Sequence, residues 1–374
     1  MTTPTHTFLA VFFALLVVAC GATESEFGGA GGAFGGAEGA GGNGGEGPVA
    51  APSLPWPLTA FPELPEIARN VPEDRIALGR LLFFDPILSI DDQVACATCH
   101  SEFWGMSDAI RVGVGHGAGL IAGPGRDGPN LSRRNSLSLF NLAFRETLLW
   151  DGRSSSLEEQ ALLPLLAEEE FNIDPGAALE RISAVSEYVE LFAAAFPDAP
   201  HVTADNLASA ISAFERTFVS DRALYDAYAA GEPGTFDEDL VEGMFRFAHF
   251  GCDGCHTPPL FESEVFANRH VPSVNGVVDF GLAEITKDPD DVGKFRTPSL
   301  RNSYVTEPYF HNGSVGGLKD AVEHELEESG MPFDERDLFL VEGFVSRALR
   351  DTSRGAQRPR SVPSGLPLPL DAER

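Results

Sequence analysis

Cys96-Ala97-Thr98-Cys99-His100 and Cys252-Asp253-Gly254-Cys255-His256 are complete Cys-x-x-Cys-His motifs, one in each half of a 374-residue chain. Two thiols three positions apart both reach the vinyl groups of one haem, and the adjacent His then falls beneath its iron as proximal ligand. A zinc site built from the two Cys-x-x-Cys pairs, or a redox dithiol, is the competing chemistry. Against both stand the His that follows each pair at once and the long separation of the pairs. The expectation is two covalently attached haem c groups, one on Cys96, Cys99 and His100, the other on Cys252, Cys255 and His256.

Outward from the motifs, the length allows two domains, each able to bury a core of its own. Asp and Glu number 56 against 26 Lys and Arg, a formal net charge of -30. Such a balance argues against nucleic acid as a partner, and an electrostatically steered partner would be basic.

Phe8 to Val18 form an apolar run too short for a permanent membrane helix, and it reads as a signal-peptide core. The run ends in Val17-Val18-Ala19-Cys20, which is similar to the lipobox of bacterial lipoproteins. Export to the periplasm is therefore expected, with membrane attachment through lipid on Cys20. No Lys or Arg precedes the run, and plain secretion with Cys20 incidental is the alternative. The other four of the five cysteines lie in the haem motifs, which leaves none for a disulfide.

From Gly28 to Gly47 the chain is almost wholly Gly, Ala and Glu, a flexible tether. Pro52, Pro55, Pro57, Pro62 and Pro65 then mark an extended lead-in. Ile76, Leu78, Leu81 and Leu82 predict a helix ending before Pro86, and Leu207, Ile211, Phe214 and Phe218 predict a second. A third, through Leu240, Val241, Met244, Phe245 and Ala248, precedes the second motif. Strand signals are scarce. The expected fold is mainly α, with two cytochrome c-like haem domains and long ligand-bearing loops. Its expected division is a leader over 1–20, tether and lead-in over 21–60, haem domains over 61–220 and 221–352, and an irregular or surface-wrapped tail over 353–374.

Several longer motifs carry a specific resemblance. Arg80-Leu81-Leu82-Phe83-Phe84-Asp85-Pro86, Trp150-Asp151-Gly152-Arg153, Leu157-Glu158-Glu159-Gln160, Phe295-Arg296-Thr297-Pro298-Ser299-Leu300-Arg301-Asn302 and Pro308-Tyr309-Phe310-His311-Asn312-Gly313 occur in this order. Together with the haem motifs the chain resembles the bacterial dihaem cytochrome c peroxidase family over roughly Phe61 to Leu326. That family includes relatives that oxidise residues of a partner protein.

The resemblance implies a peroxide site at the N-terminal haem and electron entry at the C-terminal haem. It implies His116, after Gly115, as a second haem ligand that leaves when the other haem is reduced. A solvated loop histidine is the plainer reading, but a Gly-rich loop suits a ligand that must swing away. Glu170, in Glu170-Phe171-Asn172, matches the family's acid/base for peroxide cleavage, with the neighbouring Glu168 and Glu169 as the alternative carboxylates. Gln160 matches a second distal polar group. Trp150 matches a tryptophan between the haems, an electron route or simply a packed aromatic. Asn135, Thr306 and Pro308 match a calcium site between the domains.

One position departs from the pattern. Where the peroxidases carry a Met ligand to the C-terminal haem, and the partner-oxidising relatives a Tyr, this chain has Glu325, with His324 beside it. Leu318, Ala321, Val322 and Leu326 form one apolar helical face on which Glu325 falls and His324 does not. An acid there is costly unless neutral, paired or metal-bound. His is the commoner haem ligand, and Met331 is a more distant candidate. Without Met, the C-terminal haem is expected at a lower potential than a Met/His haem.

The expected activity is periplasmic reduction of hydrogen peroxide to water, with electrons from a small cytochrome c or cupredoxin. The alternative is peroxide-driven oxidation of Trp or Tyr on a partner protein. A non-catalytic electron carrier or haem sensor is the third class. The resemblance also implies a homodimer.

Overall fold

A computed structural model describes residues 53–353 and 357–372. The expected leader, Cys20 and the Gly-rich tether lie outside the described residues. Among the described residues no helix is long and apolar enough to cross a membrane. The fold is mostly helical, and its sheet consists of two-residue strands only.

Two cores divide the chain. One gathers Leu78, Leu82, Tyr188, Phe192, Leu207 and Ile211, extended by Phe83, Phe214 and Phe218. The other gathers Tyr225, Leu240, Met244, Phe247, Phe261 and Phe344. In the first, helix Glu73–Phe84 crosses helix Ala204–Glu215, and Gly79 lies so close to the Ala210 carbonyl that any Cβ would collide with it. In the second, helix Glu238–His249 crosses helix Glu335–Gly343, and Gly243 meets the Leu340 carbonyl in the same way. Each half thus packs the helix preceding its Cys-x-x-Cys-His motif against the last helix of that half, and glycine is what permits the close crossing.

The helical expectations hold with one change. Helix Ala204–Glu215 stops before Phe218, which turns back into the core and is 4% exposed. A larger change concerns the lead-in. Trp56 is buried in the second core and donates its indole N–H to the Tyr225 hydroxyl at 2.9 Å, so packing of the chain starts ahead of Phe61. Prolines make that stretch extended, but one large aromatic is enough to dock it.

The tail wraps back over the first half. Val362 is buried there, and Leu366 and Leu368 pack beside the first-half cores. Strand Leu370–Asp371 pairs in parallel with Ile121–Ala122, inside the loop that carries His116.

The two halves also repeat each other in detail. Asn141 and Asn302 both adopt left-handed backbone, φ 63° and 61°. The residues before Trp150 and His311, Leu149 and Phe310, both have positive φ, and the glycines of Trp150-Asp151-Gly152 and His311-Asn312-Gly313 do too. Each turn is closed by a bridge, Leu148 to Ser154 and Tyr309 to Val315. Across the junction the hydrogen bonds are reciprocal: Asn135 N–H donates to the His311 carbonyl at 2.8 Å, and Arg296 N–H to the Trp150 carbonyl at 2.9 Å.

Candidate functional site

Cys96 and Cys99 bracket a single helical turn, fixed at its start by the Thr98 hydroxyl accepting from Ala95 N–H at 2.9 Å. His100 follows at the end of that turn. Its Nδ1 donates to the Met106 carbonyl at 3.1 Å, which leaves Nε2 with a free lone pair. Burial holds the His100 pKa below its ordinary value, so the imidazole is neutral, the form that binds metal. Cys96 and Cys99 are free thiols. These groups fit a haem attached by both sulfurs and ligated by His100.

A cavity opens beside this turn, and Cys96, Cys99, His100, Gln160, Glu170 and Glu215 are in its wall. Helix Leu157–Leu166, capped by the Ser156 hydroxyl, supplies Gln160, whose buried Oε1 has no hydrogen-bond partner. Past the helix end, Glu170 N–H and Asn172 N–H both donate to the Ala167 carbonyl at 3.0 Å. That tight turn buries Phe171, aims Glu170 inward and leaves Glu168 exposed. Burial first, and then the charge of Glu169, push the Glu170 carboxyl up to about 7, against the pull of Arg153. Of the three adjacent glutamates, Glu170 alone is in the cavity wall.

His116 is close by in the chain but not in this wall. Its backbone N–H donates to the Glu170 carbonyl at 2.9 Å, its ring Nε2 donates to the Glu168 carbonyl at 3.1 Å, and Asn130 Nδ2 donates to its Nδ1 at 3.3 Å. The Gly-rich loop around it is well tied. Arg126 donates to the carbonyls of Val114 at 2.7 Å and Gly115 at 2.9 Å, and to those of Gly119 and Ile121. Gly115 is required by space, since a Cβ would strike the Glu169 carbonyl.

The second motif borders a cavity of about 870 Å³, within the usual range for a cofactor site. Cys252, Cys255, His256, Trp150, Arg269 and Glu325 are in its wall. His256 Nδ1 donates to the Phe261 carbonyl at 3.2 Å, and burial lowers its pKa to about 4, so it too is neutral with Nε2 free. Both cysteines are free thiols, so this site also fits haem c.

On helix Leu318–Glu328 the apolar face points as its spacing predicts, and Glu325 enters the cavity wall. Arg269 Nε donates to Glu325 Oε2 at 2.8 Å. Burial raises the Glu325 pKa, and Arg269 counteracts it. His324 turns away; its Nε2 donates to the Arg269 carbonyl at 2.8 Å, and its ring packs edge to face on Phe310. Met331 packs against the second core, outside the cavity wall.

Trp150 is in the wall of the second cavity and donates its indole N–H to the Asn135 carbonyl at 2.8 Å. It meets the buried His311 edge to face, and His311 in turn stacks on Phe295, centroids 3.7 Å apart. The side chains expected at the calcium site act as hydrogen-bond donors. Asn135 Nδ2 donates to the Ile110 and Arg111 carbonyls at 3.0 and 3.3 Å, and the Thr306 hydroxyl to the Ser303 carbonyl at 3.2 Å. Pro308 follows a cis peptide bond. Among the described residues no group of three or more His, Cys, Asp or Glu is placed to hold a metal ion.

Sequence reasoning passed over Glu215 and Arg269. Glu215 was detectable by the argument that marked Glu325: it continues the apolar stripe of Leu207 and Ile211 at four-residue spacing. Arg269 sits in an irregular stretch, where nothing local announces its partner.

Two Cys-x-x-Cys-His turns, each with a neutral His facing a cavity, define a c-type haem protein. A family model described as di-haem cytochrome c peroxidase matches residues 73–234. The chain is 31% identical over 309 residues to the methylamine utilization protein MauG of Methylorubrum extorquens, covering 81% of this chain and 82% of that one. It is 35% identical over 258 residues to the cytochrome c551 peroxidase of Pseudomonas aeruginosa, covering 67% and 71%. Among solved structures, a MauG-like protein associated with microbial copper homeostasis matches with TM-score 0.66 and 25% identity, over 82% of this chain and 96% of that one. The diheme peroxidase BthA of Burkholderia thailandensis shares the fold, with TM-score 0.61 and 22% identity over 79% and 90%. The chain belongs to the di-haem cytochrome c peroxidase family, with its MauG-like relatives. It is an oxidoreductase of the peroxidase type.

Proposed function

We propose that this protein reduces hydrogen peroxide to water at the N-terminal cavity, with electrons delivered through the C-terminal half by a small cytochrome c or cupredoxin. The observation that carries the reading is the convergence of Gln160 and Glu170 on the cavity of Cys96, Cys99 and His100. Bound haem would supply the iron that holds peroxide and exchanges electrons. Glu170, with a pKa near 7, is suited to take the proton of one peroxide oxygen and return it to the other. The unpartnered Gln160 Oε1 is suited to accept a peroxide O–H and orient it. His116 would enter the cavity as a ligand in the resting enzyme, and its hydrogen bonds to Glu168 and Asn130 are partners it would take when released. Trp150 and His311 would bridge the halves. Export to the periplasm, lipid on Cys20, a homodimer and calcium at Asn135, Thr306 and Pro308 belong to the same proposal.

A second reading is peroxide-driven oxidation of Trp or Tyr on a partner protein. It is favoured by the Arg269–Glu325 pair at the position where the peroxidase resemblance calls for Met. Stopped-flow mixing of the dihaem protein with peroxide, oxidised and half reduced, with and without a reduced donor, decides between them. Donor-dependent catalytic consumption supports the peroxidase. A long-lived oxidised spectrum with negligible donor turnover would sink it in favour of the partner-oxidising reading.

A further inference from the structure

Glu215 ends helix Ala204–Glu215, on the stripe formed by Leu207 and Ile211. It is 4% exposed, in the wall of the N-terminal cavity with Cys96, Gln160 and Glu170. Its Oε2 has no hydrogen-bond partner. The adjacent cation does not serve it, because Arg216 forks onto Glu158 at 2.7 and 2.9 Å. A buried carboxyl with an unpartnered oxygen is costly, so its presence beside Gln160 and Glu170 asks for a reason.

Peroxide reduction does supply a reason. Hydrogen peroxide, two electrons and two protons give two waters. Glu170 moves one of peroxide's own protons from one oxygen to the other as the O–O bond breaks, which releases the first water and uses both original protons. The remaining oxygen needs two electrons, from the reduced redox protein, and two protons from outside the substrate. We propose that Glu215 delivers these protons: it passes one to the remaining oxygen with each electron and is reprotonated from solvent in between. The inference rests on the peroxidase reading. Burial raises its carboxyl to about 8, so the group is loaded with a proton at neutral pH, and the charge of Arg216 opposes this only in part.

The test joins infrared spectroscopy with single-turnover kinetics on the haem-loaded protein. At neutral pH the wild type should show a protonated-carboxyl stretch that shifts in D2O, survives in Glu170→Gln and is lost in Glu215→Gln. Glu215→Gln should still consume a first equivalent of peroxide at the wild-type rate, then turn over roughly a hundredfold more slowly. Glu170→Gln should lose the first equivalent. Glu215→Asp, which keeps the acid, should recover part of the turnover. A Glu215→Gln protein with unchanged infrared bands, or with steady-state turnover within about twofold of wild type, overturns the proposal. A wild type that consumes no peroxide overturns the peroxidase reading instead, and the infrared result then still decides whether Glu215 stores a proton.

Discussion

Trp150 and His311 occupy equivalent positions in the two halves of the chain and meet edge to face, ring centroids 6.5 Å apart. The Trp150 carbonyl accepts from Arg296 N–H and the His311 carbonyl from Asn135 N–H, so the aromatic pair sits between two reciprocal backbone hydrogen bonds. This clamp joins the halves and holds both rings in the wall of the C-terminal cavity. Replacing Trp150 by Phe removes the 2.8 Å hydrogen bond to the Asn135 carbonyl and leaves that acceptor unsatisfied. The expected loss is about 1–3 kcal/mol, read as a lower Tm, together with slower electron exchange between the haems by stopped-flow.

Arg301 is fully buried, and its guanidinium holds Asp226 at 2.8 and 2.6 Å while donating to the Pro259 and Ser220 carbonyls. Asp226→Ala strands that charge. Urea unfolding should show a loss of about 3–5 kcal/mol, of which the double variant Asp226→Ala with Arg301→Met regains part.

Peroxide turnover should rise with pH through about 7, because Glu170 accepts a proton only once ionised and burial has raised its carboxyl to that value. The kcat/KM profile should lose this limb in Glu170→Gln, with turnover falling about a hundredfold or more. Stability follows the opposite direction. A carboxyl whose folded pKa lies above its unfolded one favours the fold while protonated, and that contribution disappears as pH rises through about 7.

Glu325→Met should raise the potential of the C-terminal haem, because Met/His ligation favours the reduced iron and the Arg269–Glu325 pair would be gone. Redox titration of both proteins checks this. A wild-type couple already as high as that of the Met variant would refute the expectation of a low-potential haem.

Removing residues 357–374 strips the strand Leu370–Asp371 from the His116 loop, along with the hydrogen bonds from Leu370 and Ala372 to the Leu120 and Ala122 carbonyls, both 2.8 Å. It also exposes the packing site of Val362, worth about 1.5–3 kcal/mol. Amide exchange around His116 should accelerate more than exchange in helix Ala204–Glu215.

By itself the sequence determined the chemistry and its local framing. The two Cys-x-x-Cys-His motifs identify their cofactor because thiol spacing and an adjacent imidazole are local facts. The period of helix Leu318–Glu328 separated Glu325 from His324 for the same reason, since which face a residue takes depends only on its neighbours along the helix. The choice of Glu170 over Glu168 and Glu169 came from family spacing, and the turn on the Ala167 carbonyl supplies its physical basis. Tertiary structure alone decided what faces what. Trp56 entered the second core, the tail closed over the His116 loop, Arg269 found Glu325, and Glu215 joined Glu170 and Gln160. Each of these brings together segments distant in the chain, the first three through burial and hydrogen bonding and the last through burial alone, and none is written in any one stretch of sequence.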